Sequence, residues 1–513
     1  MRDEYLIMLG AWGVVAFWIA LVIFLNRKVH PKALFFLFMV ELWERFSYYG
    51  MRAFLMLYLT AEIVKNGFGL EKKVALGIYA AYGALVYLTP LAGGMLADKI
   101  LGFRKAIIWG AILMAAGQFT LSMSIGQEVI LFLGLAMLTI GNGFFKPNIT
   151  STIGRFYGQG DPRRDGAFTI FYMGINMGAF LAPLTCGAIG EIEGWQYGFL
   201  TAGCGMVLGL CIFLYTSYAG YLENHANPPA GAETKKVFGL PAAWVVYAGT
   251  LLAVPVAALM VYKNEVMDVL LGVVGIGAIG GMIYLSFQYP VAERQRIWVI
   301  VVLLFFTTVF WAFFELAGSA LTLFTDANVE KSLAGMKLTT SMFQGANALF
   351  IMLFAPVFSV LWVLLAKRNI EPNAPVKFAF GLLLLGAGFL ALNLGRGAVV
   401  AGIMPAIFLI LLYLLHTWGE LALSPVGLSL VTKLAPAKFV GFMMGFWFLS
   451  SAIAHQSGKW IASEAVADKN ATPEETLALS LEVFNNVGLF AIGSGAFLIL
   501  LSPILKKWMH GIK

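Results

Sequence analysis

The segment ELWERFSYYGMR places Glu41, Glu44, Arg45, Tyr48, Tyr49 and Arg52 within twelve residues. At about 100° per residue of helix these six fall within an arc of roughly 140°, so they share one face. Carboxylates and guanidinium groups this close can form ion pairs, and a desolvated carboxylate can take up or release a proton as a neighbouring cation leaves or returns. Three further charges stand alone in apolar runs: Lys146 in GNGFFKPN, Glu315 in FWAFFELAGS and Glu420 in HTWGELALSPVG. Lys146 lies in the N-terminal half and the two acids in the C-terminal half, so attraction between the halves could close a gate. Plainer readings are a static ion-pair cluster that fixes helix packing and, for Lys146, a side chain that snorkels to the inner membrane edge. His416 and Ser424, four residues to either side of Glu420, make an inert buried acid the weaker reading there.

These residues need a membrane around them to have such effects, and the composition supplies one. The chain has 513 residues, of which 60% are hydrophobic and 12% charged. That is too little polar surface for a water-soluble globule of this size. Apolar stretches read as helices near 5–26, 33–61, 74–97, 104–126, 129–150, 166–190 and 196–220. After a polar linker at 221–236 they continue near 239–262, 266–287, 297–324, 338–366, 377–395, 399–432, 438–463 and 483–505. An ionisable group inside such a span costs several kcal/mol unless paired or hydrated, so the buried charges are functional candidates. Cys186, Cys204 and Cys211 have no metal-ligand spacing and imply neither a disulfide framework nor a cysteine metal site.

The net charge of +7 is mostly orientation. If the span starting near 33 begins in the cytoplasm, the inside connections hold Lys99, Arg104 and Lys105; Arg155, Arg163 and Arg164; Lys235 and Lys236; and Arg294 and Arg296. Lys367 and Arg368, Lys433 and Lys438, and Lys506 and Lys507 complete the series, as the positive-inside rule requires. The loop with Lys65, Lys72 and Lys73 is the exception, partly offset by Glu62 and Glu71. Residues 5–26 read as an extra anchor helix, a signal-like sequence or an amphipathic lead-in. The leading MRDEY is not clearly basic and no small-residue cleavage pattern precedes NRKVHPK, which favours the helix. The expected order is an N-terminal extension (1–32), a six-helix bundle (33–220), a linker with two inserted helices (221–296) and a second six-helix bundle (297–513).

GGMLADKILGFRK, at the end of the second core helix and a short basic loop, resembles the loop signature of the major facilitator superfamily. ELWERFSYYG, GNGFFKPN, FYMGINMGAFLAPL and GELALSPVGLS together resemble the proton-coupled oligopeptide transporter family of that superfamily, in its bacterial form with two additional helices between the halves. The resemblance covers about residues 33–507 and leaves the 5–26 segment outside. It implies an all-α membrane protein with the major facilitator fold, in the plasma membrane, which for a bacterium is the inner membrane. Glu41, Glu44 and Arg45 match the family's E-x-x-E-R motif, associated with coupling proton movement to peptide transport. Arg52 matches the arginine paired with the acid at Glu315 across the outer gate, and Lys146 the lysine that faces the acid at Glu420 near the inner gate. Tyr48, Tyr49, Tyr87, Asn176 and Asn347 match residues that hold the peptide backbone, while Trp447 and Ser451 match side-chain pocket positions.

A short peptide presents an ammonium, a carboxylate and amides at nearly fixed separation. Glu420 suits the ammonium, and Arg45 and Lys146, with Arg52, suit the carboxylate. One departure concerns proton uptake: animal members have a histidine in the second core helix where this chain has Ala80. His416 and His455 lie in spans but match no family role, and His30, His225 and His510 read as loop or terminal residues. Glu315, Glu41 and Glu44 are therefore the proton candidates. The expected function is proton-coupled import of di- and tripeptides by alternating access, with protonation of buried carboxylates controlling salt bridges between the bundles. A related proton-coupled carrier of nitrate, an amino-acid conjugate or a drug is the alternative. The expected partners are di- and tripeptides, protons and lipid, with no nucleic acid, no obligatory protein partner, no metal and no cofactor beyond the proton as coupling ion. No G-x-x-x-x-G-K-[ST], no H-E-x-x-H and no recognisable Ser/His/Asp grouping points to an enzyme.

Overall fold

The computed structural model of the chain describes residues 2–158, 160–232, 234–436, 440–467 and 471–512. Lys438, assigned above to a basic inside connection, lies outside the described residues. The protein is helical almost throughout. In chain order α1 (Asp3–Asn26) precedes α2 (Lys32–Thr60), α3 (Lys72–Leu96), α4 (Gly102–Ser122), α5 (Glu128–Arg155), α6 (Arg163–Ala182), α7 (Ala188–Glu193) and α8 (Trp195–Tyr218). Then come α9 (Ala242–Tyr262), α10 (Glu265–Ser286), α11 (Val291–Phe314), α12 (Ala320–Asn328), α13 (Gly345–Lys367), α14 (Ala374–Ala391), α15 (Ala406–Leu434), α16 (Val440–Glu464) and α17 (Pro473–Trp508).

Taking α7 as a continuation of α6 and α12 of α11, this is the expected sequence of an extra helix, six core helices, an inserted pair and six more. Twelve helical stretches among the described residues are long and apolar enough to cross a bilayer, one of them the continuous 51-residue run Lys72–Ser122. That run contains both α3 and α4. The short basic loop expected between them is wound as a π-helical turn, Ala97–Leu101, and the chain changes direction at Gly102, whose φ of 71° lies in the left-handed region. A second π turn, Pro183–Gly187, joins α6 to α7. It absorbs the backbone donor that proline lacks without ending the span. α17 starts ten residues earlier than the hydropathy suggests because a capping box nucleates it: Thr472 N–H donates to Glu475 Oε2 at 2.8 Å and Glu475 N–H to Thr472 Oγ1 at 3.2 Å.

The contacts divide the chain into two units. The first comprises residues up to Glu71, Leu85–Lys263 and Met336–Ala348; the second comprises Lys72–Ala84, Asn264–Gly335 and the chain from Leu349. This is a division by contact, whereas the expected segments follow chain order, and it sends α9 to the first unit and α10 to the second. In the first unit α2 lies between α6 and α8, α4 packs on α5 and α8, and α9 on α5. α1 is docked there: Trp12 Nε1 donates to Thr185 Oγ1 at 3.0 Å, its ring lies 5.7 Å from Trp43, and Tyr5 donates to Glu193. In the second unit α14 packs on α15 and α17, and α11 and α10 pack on α16.

The polar linker folds back on the basic turns of the first unit. Arg104 N–H donates to Ala226 O at 2.9 Å, and the Arg104 and Arg155 guanidinium groups donate to Glu223 O at 3.3 Å and His225 O at 3.2 Å. Nearby, Arg163 donates to Asp161 and holds its carboxyl down at about 2, so this pair stays charged at any physiological pH.

Close helix approach rests on small residues, since lipid gives helices little hydrophobic drive to associate. A Cβ at Gly141 of α5 would stand 2.7 Å from the Gly110 carbonyl oxygen of α4, and one at Gly110 would stand 2.6 Å from Gly141 O. Gly141→Val must therefore separate α4 from α5. We expect it to lower stability by about 1–3 kcal/mol, read as a reduced Tm of the detergent-solubilised protein; an unchanged Tm would show that the two backbones can part without cost.

Candidate functional site

α2 carries the charged cluster because both its flanks are covered. Glu41, Glu44 and Arg45 are 1%, 0% and 4% exposed, and most of the rest of the helix is buried as well. The charged face is thus not opposed by a lipid-facing one over most of the helix length, contrary to the amphipathic picture that the arc of six residues suggests. Arg45 Nε stands 2.7 Å from Glu41 Oε1 and 3.0 Å from Glu44 Oε2, so one guanidinium serves two carboxylates. The i, i+4 spacing places Glu41 beside Arg45, while Glu44 reaches the same guanidinium from the adjacent position.

Two carboxylates share this guanidinium, and the Lys146 ammonium of α5 also acts electrostatically on Glu44. Asn142 of α5 donates its Nδ2 to Glu44 Oε1 at 3.3 Å, a contact the sequence reading did not single out. Asn142 and Lys146 are four residues apart and so on the same face of α5. The signal was present in the GNGFFKPN motif, where only the lysine drew attention. Glu41 Oε2 makes no hydrogen bond among the described residues despite full burial.

The remaining expected residues of the first unit are laid out around this cluster. The Tyr48 and Tyr49 rings meet edge to face at 5.1 Å, and the Arg52 guanidinium carbon lies 5.9 Å from the Tyr49 ring centre. Lys146 Nζ stands 4.8 Å from the centre of the Tyr87 ring, so α3 supplies an aromatic face to the α5 ammonium. Asn176 is buried on α6 with its Nδ2 donating to Tyr172 O at 2.9 Å, and Asn347 is half-buried at the start of α13. These tyrosines, amides and cations are hydrogen-bond donors and acceptors.

Glu315, Glu420, Trp447 and Ser451 belong to the second unit. Glu315 follows the last residue of α11, where the helix tightens into a 3-10 turn, Glu315–Gly318, before α12 begins. Interrupted spans of this kind recur where transporters handle ions and substrates. Glu420 is buried on α15, and the Trp447 ring packs against Gly427 of that helix. Ser450 and Ser451 donate their hydroxyls to Trp447 O at 2.7 and 3.4 Å. His416, one turn before Glu420, is enclosed by Phe389 at 4.6 Å and Phe314 at 6.2 Å, a packing environment. His455 differs: its Nε2 stands 3.6 Å from Glu315 Oε2. Sequence reasoning gave it no role because nothing local to HQSGKW indicates which residue it meets. No group of three or more His, Cys, Asp or Glu positioned to hold a metal ion occurs among the described residues.

The model of the POT family matches residues 104–477. An uncharacterized transporter, YclF, of Bacillus subtilis (strain 168) is 36% identical over 484 residues, spanning 94% of this chain and 96% of that protein. A di-/tripeptide transporter of Lactococcus lactis subsp. cremoris is 34% identical over 495 residues, spanning 93% of this chain and 96% of its own length. Among solved structures, a peptide transporter POT in complex with sulfate superposes with a TM-score of 0.81 at 38% identity, covering 94% of this chain and 96% of that one. With the E-x-x-E-R cluster buried on α2 and an acid at the break after α11, in a multi-pass protein of the cell's inner membrane, the chain belongs to the POT family, a family of transporters.

Proposed function

We propose that this protein imports di- and tripeptides together with protons by alternating access, and that it is a carrier rather than an enzyme. The observation that supports this most is the buried Glu41–Arg45–Glu44 cluster with Asn142 donating into it. Such a cluster, with Lys146 also acting on Glu44, changes its net charge by one when a carboxyl takes up a proton. Its preferred surroundings therefore depend on proton occupancy, which is what a symporter requires of its coupling site. The relative from Lactococcus lactis, named a di-/tripeptide transporter, supports the substrate class.

On this reading Lys146, Arg45 and Arg52 receive the peptide carboxylate and Glu420 the ammonium. Tyr48, Tyr49, Tyr87, Asn176 and Asn347 bond the backbone, and Trp447 and Ser451 border the variable side chains. Few contacts depend on side-chain identity, so many sequences fit. The proton is the only coupling species and no cofactor takes part.

Liposomes containing the purified protein should acidify internally when dialanine or trialanine is added outside under an inside-negative potential. Failure of both peptides to drive acidification would refute symport. Uptake of nitrate without peptide competition would instead favour a non-peptide carrier. Glu420→Gln removes the charge offered to the ammonium and should weaken peptide affinity by roughly tenfold or more, as loss of a charged hydrogen bond costs about 1.5–3 kcal/mol. Competition binding checks this, and unchanged affinity would take Glu420 out of the binding site. Glu315→Gln should abolish concentrative uptake while sparing counterflow; normal concentrative uptake would move the proton role elsewhere.

A further inference from the structure

The second unit contains a small recess in which the first half of α3, the 3-10 turn after α11 and the middle of α16 meet. Tyr79, Ala80, Glu315, His455 and Lys459 line it. We infer that His455 is the proton-carrying partner of Glu315, so that one imidazole and one carboxyl pass the coupling proton between them. This deepens the symport reading and rests on it.

The imidazole is oriented for that role. Its Nδ1 lies 3.1 Å from Ser451 O on the preceding turn of α16. A backbone carbonyl can only accept, so Nδ1 is the protonated donor, and in the neutral ring Nε2 is left with its lone pair. Nε2 is the atom that stands 3.6 Å from Glu315 Oε2, with the two side chains 4% and 9% exposed. The ring is also wedged in place. A Cβ at Gly83 of α3 would lie 2.3 Å from His455 Cδ2, so only glycine leaves room for the imidazole against that helix.

The cation next along the helix is already paired. Lys459, one turn further along α16, would oppose a charged ring, but its Nζ is held 2.5 Å from Asp268 Oδ2 of α10, and the other Asp268 oxygen accepts from Gln456 Nε2 at 2.8 Å. Asp268 thus neutralises the lysine next to the recess, which gives the inserted helix α10 a part in the site. Tyr79 is the titratable group offered by α3, and no titratable side chain of α10, α11, α15 or α17 lines the recess among the described residues.

The transfer needs no other reactant. A proton binds the Nε2 lone pair, forming an N–H bond and an imidazolium that pairs with the Glu315 carboxylate. That N–H bond then breaks as an O–H bond forms on Oε2, leaving a neutral imidazole and a neutral carboxyl. Release runs the same steps in reverse.

The test compares wild type, His455→Gln and Gly83→Ala in proteoliposomes, with trialanine as substrate, across a range of external pH. His455→Gln keeps a hydrogen-bonding side chain of similar size but cannot carry a proton. It should reduce proton-driven concentrative uptake by about tenfold or more, the scale on which a positioned proton carrier acts. It should also displace the pH profile of uptake and leave trialanine counterflow near the wild-type rate. Gly83→Ala, which displaces the ring while keeping the histidine, should lose concentrative uptake in the same selective way. Wild-type concentrative uptake and pH profile in His455→Gln would overturn the inference. So would an equal loss of uptake and counterflow in folded His455→Gln, since that indicates packing alone. If wild type itself shows no trialanine-driven acidification, symport and this inference both fall; if wild type acidifies and His455→Gln matches it, only the inference falls.

Discussion

A bilayer cannot solvate a charge, and the architecture follows from that constraint wherever an ionisable side chain enters a span. Arg45 is the first case. Placed between Glu41 and Glu44, it makes one cation serve two acids, and α6, α8 and α5 enclose the result. Helix packing around α2 thus performs the solvation that water performs elsewhere. Close glycine contacts such as Gly110 with Gly141 let neighbouring helices come near enough to keep lipid out.

The same constraint appears in the second unit in another form. Glu315 has a histidine beside it, its Nε2 3.6 Å from Oε2. An arginine stays cationic under any physiological condition, whereas an imidazole gains or loses its charge near neutral pH. Arg45 is thus a neighbour of fixed charge for Glu41 and Glu44, and His455 a neighbour of conditional charge for Glu315.

Much of this was legible in the sequence for local reasons. The α2 cluster lies within one short segment, so helical periodicity alone brings its members together. The number and order of spans followed from apolar run length and the alternation of basic connections. Asn142 and His455 were not legible because their partners, Glu44 and Glu315, are distant in the chain, and pairing across helices depends on packing that periodicity does not encode. The π turns at Ala97–Leu101 and Pro183–Gly187 also escaped, since one additional residue per turn barely alters a hydropathy pattern. The early start of α17 was hidden for a different reason: its first turns are polar, and a capping box rather than hydrophobicity begins the helix.

The narrow turn at Glu315–Gly318 has a mechanical meaning. A 3-10 helix advances about 2.0 Å and 120° per residue, and an α-helix about 1.5 Å and 100°. Rewinding four residues from one form to the other shortens the segment by about 2 Å and rotates its ends by about 80° relative to each other. A screw of that size, confined to a single turn, can swing a carboxylate from one set of neighbours to another while the long helices on either side stay straight. The acid is thus mounted where the pitch of the backbone changes.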